Sequence, residues 1–248
     1  MPAGIHIKNL SFSYTSDKPV LKNISIDVAP GEKLGIIGPS GSGKSTLLLH
    51  LNGILSGGEG LVEAGGIKVE KKSLPEVRKM VGLVFQNPDD QLFNPTVEED
   101  VAFGPLNFGF SREEVGRRVQ ETLKAMNLSG FEQLSSHHLS LGERKRVALA
   151  TVLAISPQII AFDEPFSSLD PEMVMQLINL INNLDATLVI VSQSFLPLIA
   201  CCSRIAILRD GEIRADGPGN EIIKDGELLR TNGMDMSFYQ NIYRKYFM

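Results

Sequence analysis

The chain has 248 residues, 43% of them hydrophobic, with a formal net charge of -5. That length and core content accommodate one large α/β domain or two small ones, one domain with an insertion being expected, and the acidic balance gives no basic footprint, so no nucleic-acid partner is expected. The two cysteines, Cys201 and Cys202, are adjacent, which suits neither a disulfide framework nor a zinc site and leaves them as packing residues.

The N-terminal run MPAGIHIKNL lacks a basic stretch followed by an apolar one, and no apolar stretch reaches the length needed to span a bilayer, so the chain reads as cytoplasmic. The first third reads as β-rich. Ile5, Ile7 and Phe12, then Ile24, Ile26 and Val28, alternate with polar residues as half-buried strands do, with turns at Ala29-Pro30-Gly31 and Gly65-Gly66. Lys33-Leu34-Gly35-Ile36-Ile37 is a short apolar run of buried-strand type, and Ser45 to Leu51 has the composition of a helix that stops near Gly53. His6, His50, His137 and His138 have no metal-ligand spacing.

Beyond the strand Val81 to Phe85 the pattern turns helical. Ser111 and Glu114 are spaced as a capping box ahead of Val115, Val119, Leu123 and Met126, and the helical insertion is expected over roughly 95–155. Strand and helix then alternate again: Gln158 to Phe162 reads as a buried strand ending in Asp163-Glu164, and Asp170-Pro171 as an N-cap and N1 proline before a helix to about Leu184. Leu188 to Val191 is the next strand, and Arg209-Asp210-Gly211-Glu212 a hairpin turn. The tail from about 219, with Tyr239, Tyr243, Tyr246 and Phe247, is expected to be helical.

The chemistry sits between the third strand and the first helix. Gly38-Pro39-Ser40-Gly41-Ser42-Gly43-Lys44-Ser45-Thr46 fits G-x-x-x-x-G-K-[ST], whose backbone N–H groups wrap phosphate oxygens at a helix N-terminus. Lys44 is placed to neutralise terminal phosphates and the Ser45 hydroxyl to ligate Mg²⁺. Gln86, directly after its strand, offers an amide to Mg²⁺ or water, and Asp163 and Glu164 form the acidic strand end that holds the metal shell and polarises an attacking water.

Together with Leu139-Ser140-Leu141-Gly142-Glu143 and Ser167-Ser168-Leu169-Asp170, this set resembles the ABC-type ATPases over nearly the whole chain. The resemblance implies a P-loop α/β core with a mixed sheet, an N-terminal antiparallel β region and a helical subdomain, occupying 1–218, with a C-terminal tail over 219–248. It also implies ATP and Mg²⁺ as ligands, Tyr14 as an adenine-stacking aromatic, and Ser140 and Gly142 as contacts to the γ-phosphate bound by an opposite subunit. The run Gln86 to Pro105 resembles the ATPase subunits of energy-coupling-factor (ECF) transporters, cobalt/nickel type above all, where it couples to a membrane partner; Leu92 and Phe93 are expected to be exposed to that partner.

Two positions depart from the pattern. Leu141 replaces the first glycine of the signature, while Ser140 and Gly142 are kept. After Leu188 to Val191, where the family places a γ-phosphate-sensing histidine, stands Gln193, which donates a hydrogen bond but carries no charge. The expected protein is a peripheral ATPase at the cytoplasmic face of the membrane. It dimerises with a like or unlike ATPase subunit and drives a transmembrane coupling subunit and a substrate-binding membrane subunit to import cobalt, nickel or a vitamin such as biotin. The competing reading is a regulatory ATP-binding subunit of low activity in an asymmetric pair.

Overall fold

The computed structural model describes residues 1–15 and 18–234. Of the tail expected to be helical over 219–248, the described part carries the short helices Gly219–Ile222 and Gly226–Thr231, and the part with its tyrosines, beyond residue 234, lies outside the described residues. Two sheets carry the fold. β1 (Ile5–Ser13), β2 (Pro19–Val28), β4 (Glu59–Ala64) and β5 (Ile67–Lys68) pair antiparallel in the order β2-β1-β4-β5. The second sheet runs β10-β9-β3-β8-β7-β6. Its strands β3 (Lys33–Ile37), β6 (Val81–Val84), β7 (Ile159–Asp163), β8 (Thr187–Ser192) and β9 (Arg204–Arg209) are parallel, and β10 (Glu212–Pro218) closes the edge antiparallel to β9. The sheet is therefore mixed, as expected.

The parallel strands are apolar on both faces because both are covered. Leu34, Ile36, Ala161, Val189 and Val191 face β1, β2 and the helix α1 (Lys44–Leu51). Ile37, Ile160, Phe162, Leu188 and Ile190 face the helices of the other layer. These are α3 (Val97–Asn107), α4 (Arg112–Ala125) and α5 (Leu141–Leu153), then α6 (Pro171–Asn182) and α7 (Phe195–Cys201). The short helices α8 (Gly219–Ile222) and α9 (Gly226–Thr231) add Ile222 and Leu229 to that layer's core, whereas α2 (Leu74–Met80) buries Val77 in the other. Cys201 and Cys202 are buried in the helical layer's core. Among the described residues no helix is long and apolar enough to cross a membrane.

Helix starts follow side-chain chemistry. Asp170 accepts from the Met173 amide at 2.9 Å with Pro171 at N1. At Ser111 only half of the expected box forms: the hydroxyl accepts from the Glu114 amide, but the Glu114 carboxylate is taken by Arg117 and Arg118. Full boxes form instead at Thr96 with Glu99 and at Ser140 with Glu143.

A second correction concerns Leu92. A one-turn 3₁₀ helix, Pro88–Asp90, reverses the chain and drives Leu92 into the core at 3% exposure, while Phe93 stays 63% exposed with its ring edge-on to Phe103. Of the expected exposed pair, only Phe93 is at the surface.

Candidate nucleotide site

Parallel strands bring their C-terminal ends to one edge, where open α/β sheets carry their ligands. Register fixes the geometry: Ile37 pairs with Ser192, and Asp163 with Val191. The loop leaving β3 therefore lies beside Gln193 at the end of β8 and Glu164 at the end of β7. The apolar side chains of α1 pack the helix over the sheet, so its N-terminus and the phosphate loop face that edge. Gly43 at the N-cap has φ 106, and a Cβ there would stand 3.0 Å from the Val20 carbonyl, so the loop needs glycine.

A cleft of about 480 Å³ opens at this edge, lined by Tyr14, Ser40, Gly41, Gly43, Lys44, Ser45 and Thr46 together with Gln86, Glu164 and Gln193. Thr15, Lys18 and Val20 complete the lining; no motif marks them, because they reach the cleft only through the pairing of β1 with β2. Gly38 and Pro39 lie behind the loop, their carbonyls accepting from Lys44 Nζ at 2.8 and 3.1 Å. Ser42 is buried beneath it. The Tyr14 ring is 58% exposed, set edge-on to Phe12, with its hydroxyl 3.2 Å from Thr46 Oγ1.

Charge at the cleft floor is concentrated and incompletely paired. Lys44 Nζ stands 3.7 Å from Glu164 Oε1, longer than a hydrogen bond. Burial pulls the Lys44 ammonium below its ordinary value, against the pull of the Glu164 and Asp163 carboxylates. Burial pushes the Asp163 carboxyl up, with Glu164 adding to the rise while Ser45 and Lys44 oppose it. Glu164 has φ 46, an uncommon left-handed backbone for a non-glycine residue. Its backbone N–H donates to Val191 O at 3.0 Å and its Oε2 accepts from the Gln193 backbone N–H at 2.9 Å.

Ser42 Oγ, Asp163 Oδ1 and Glu164 Oε1 are buried without a hydrogen-bond partner. Such orphaned groups cost free energy unless a ligand satisfies them. A lysine ammonium, a loop of backbone amides at a helix N-terminus and carboxylate and hydroxyl oxygens suit an anionic phosphate chain with a divalent cation. The residues present therefore fit a nucleoside triphosphate and Mg²⁺. No cluster of three or more His, Cys, Asp or Glu side chains set to hold a metal unaided occurs among the described residues.

Ser140 and Gly142 do not join this cleft. Ser140 caps α5, and Leu141 is the first residue of that helix. Gly142 lies against α6, where a Cβ would come within 2.2 Å of Met173 Sδ. The cleft and the signature helix are linked through Lys145, which no sequence pattern marks, and through Gln91, which lies within the run Gln86 to Pro105. Gln91 accepts from the Phe85 amide at 3.2 Å and donates to Ala148 O and Thr151 Oγ1, each at 2.7 Å, stitching the loop after β6 to α5.

Fold and cleft together define a P-loop ATPase of the ABC type. The sequence matches the ABC transporter family over residues 21–167, and the chain belongs to that family. It is 47% identical over 231 residues to the energy-coupling factor transporter ATP-binding protein EcfA of Methanocaldococcus jannaschii, covering 91% of this chain and 83% of that one. It is 43% identical over 237 residues to a putative ABC transporter ATP-binding protein of Streptomyces coelicolor, covering 96% and 91%. Among solved structures it resembles cbiO1 from Clostridium perfringens, described as part of the ABC transporter complex cbiONQ, with TM-score 0.82, 29% identity and coverage of 97% and 98%. It also resembles a dimeric ATP-binding cassette in a post-hydrolysis state bound to ADP and Pi, with TM-score 0.77, 30% identity and coverage of 86% and 98%.

Proposed function

We propose that the chain is the ATP-hydrolysing subunit of an ECF-type importer, pairing with a second ATPase subunit, like or unlike, at the cytoplasmic face of the membrane. It drives a transmembrane coupling subunit and a substrate-binding membrane subunit to bring in a micronutrient, with cobalt or nickel ion favoured over a vitamin such as biotin. Residues 1–218 form the nucleotide-binding domain, with the helical subdomain at about 95–155 and a tail over 219–248. The likeness to proteins named for the energy-coupling factor and for cbiONQ supports the transporter class. The run Gln86 to Pro105 supports the metal-ion preference.

The observation that carries the hydrolytic role is Glu164: one carboxylate oxygen is held by the Gln193 backbone N–H and the other is buried, unpartnered and turned toward the phosphate loop. A carboxylate so fixed is positioned to polarise an attacking water. Lys44 and the loop amides from Gly38 to Thr46 hold the phosphates, and Tyr14 covers the base. Ser45, Gln86 and Asp163 hold Mg²⁺, which supplies charge neutralisation on the phosphate oxygens when bound. Ser140 and Gly142 serve the nucleotide of the opposite subunit.

The regulatory reading has one observation in its favour: an uncharged Gln193 lines the cleft where the family has histidine. Steady-state phosphate release by the assembled complex separates the two. If Glu164 is the base, Glu164→Gln lowers turnover by about a hundredfold or more; a wild type no faster than Glu164→Gln makes the subunit regulatory.

A further inference from the structure

The backbone turn that follows Glu164 is tied down by a side chain from another element. Lys145, on the second turn of α5, is half-buried, and its Nζ donates to Pro165 O at 2.9 Å, Ser167 O at 2.8 Å and Ser167 Oγ at 3.2 Å, with Glu164 O at 3.5 Å. An ammonium has three donors, and here they are absorbed by one turn of four residues. Inside that turn Ser167 closes back on Glu164: its amide and hydroxyl both donate to Glu164 O, at 3.2 and 2.9 Å.

The turn needs such an anchor. Glu164 at φ 46 and Ser168 at φ 59 both hold left-handed backbone without being glycine, a conformation that persists only where surrounding contacts over-determine it. Carbonyls of residues 164, 165 and 167 point toward one spot, and opposed carbonyl dipoles favour a cation between them. The contact also joins the two halves of the machinery. α5 follows its Ser140 cap and carries Gly142 in its first turn, whereas the other turn carries Glu164, so Lys145 makes the signature helix and the end of β7 one mechanical unit.

We infer that Lys145 is a positioning residue for hydrolysis, holding the 164–168 turn so that the Glu164 carboxylate faces the phosphate loop and transmitting any movement of α5 to it. The inference rests on the role given to Glu164 above. It assigns no contact with nucleotide to Lys145, which does not line the phosphate cleft. Loss of the ammonium should thus lower turnover while sparing nucleotide affinity, a split that simple loss of folding would not produce.

The test uses the full-length chain in the assembled complex, comparing Lys145→Met, Lys145→Arg and Glu164→Gln for phosphate release and for binding of a non-hydrolysable ATP analogue. Lys145→Met is expected to lower kcat about tenfold or more with analogue affinity within about threefold of wild type, and Lys145→Arg, whose guanidinium donates to the same carbonyls, to recover most of the rate. Lys145→Gln, which keeps a neutral donor, should fall between them and stands in should Lys145→Met fail to fold. Wild-type kcat in Lys145→Met or Lys145→Gln overturns the inference, as does a parallel loss of affinity and rate that Lys145→Arg does not repair. If Glu164→Gln keeps full turnover, the underlying reading of Glu164 fails first, and the inference falls with it for that separate reason.

Discussion

The cleft edge of the parallel sheet and the helical layer around α3 and α5 both bury unpartnered polar atoms, but in different settings. At the cleft, Ser42, Asp163 and Glu164 each keep a buried oxygen without a partner. In the helical layer the buried Asp100 collects the amides of Phe93 and Asn94 and the Asn94 side chain on one carboxylate oxygen, and Arg144 reaches Asp89 at 2.8 Å. Gln91 there is satisfied at both ends of its amide. Asp100 Oδ2, Arg144 Nε and Arg146 Nε are buried there without a partner too, though Asp100 and Arg144 are each anchored through another atom. Orphaned atoms by themselves therefore do not mark a ligand site; at the cleft they carry weight because they stand beside a phosphate loop and an open cleft.

The largest test of that contrast falls in the helical layer. Leu92→Ala should cost about 2–5 kcal/mol of stability, because a fully packed leucine leaves a cavity, whereas Phe93→Ala one residue on should change stability by under about 1 kcal/mol. Chemical denaturation reads both. A small loss at Leu92 would mean the layer is not the rigid half of the molecule. Assembly with membrane subunits should move the other way, weakened by Phe93→Ala, since Phe93, Phe103 and Leu106 are exposed together on α3 and the loop before it.

On the cleft side the changes should appear in rate rather than stability. Gln193→His is expected to raise turnover about five- to thirtyfold, the equivalent of roughly 1–2 kcal/mol between a neutral and a charged hydrogen bond to the γ-phosphate. No increase would mean glutamine already serves the transition state fully.

The smallest effect is a pH dependence, and it acts on the link between the two regions. Burial pulls the Lys145 ammonium down to about 8 from its ordinary 10.5, with the Glu164 carboxylate opposing the drop. Turnover should therefore decline as pH rises through about 8, when the native state loses that charge, and the decline should be absent in Lys145→Arg. Stability runs the other way for this group: a lowered native value penalises folding below about pH 8, and the penalty fades as pH climbs toward 10.5. A turnover profile for Lys145→Arg identical to wild type would detach Lys145 from the chemistry.

Much of this was legible in the sequence, and the misses share a cause. The phosphate loop, the strands on either side of the helical insertion and the Asp170 cap are written in contiguous residues, so spacing alone recovers them. Leu92 was misread because the 3₁₀ turn at Pro88–Asp90 changes which way the next side chain points, and an acidic run hides that turn. The Glu114 half of a capping box lost to Arg117 and Arg118, a competition that a four-residue pattern does not contain. Lys145 and Gln91 act on residues far along the chain, and Lys18 reaches the cleft through strand pairing, so their roles exist only once the sheet is assembled. The adjacency of Glu164 and Gln193 is likewise a product of β7 lying beside β8.

On the function proposed, the Lys44 ammonium and the loop amides take a nucleotide's phosphates at the cleft edge, and the orphaned Asp163 and Glu164 oxygens are left for the Mg²⁺ and the attacking water. Binding of a non-hydrolysable ATP analogue in the presence of Mg²⁺, measured by titration calorimetry on wild type and Lys44→Ala, tests that assignment most directly. The account predicts that removing the Lys44 ammonium weakens binding by about tenfold or more, as expected for loss of a charge-assisted contact in a buried site. Equal affinity in the two proteins would contradict it.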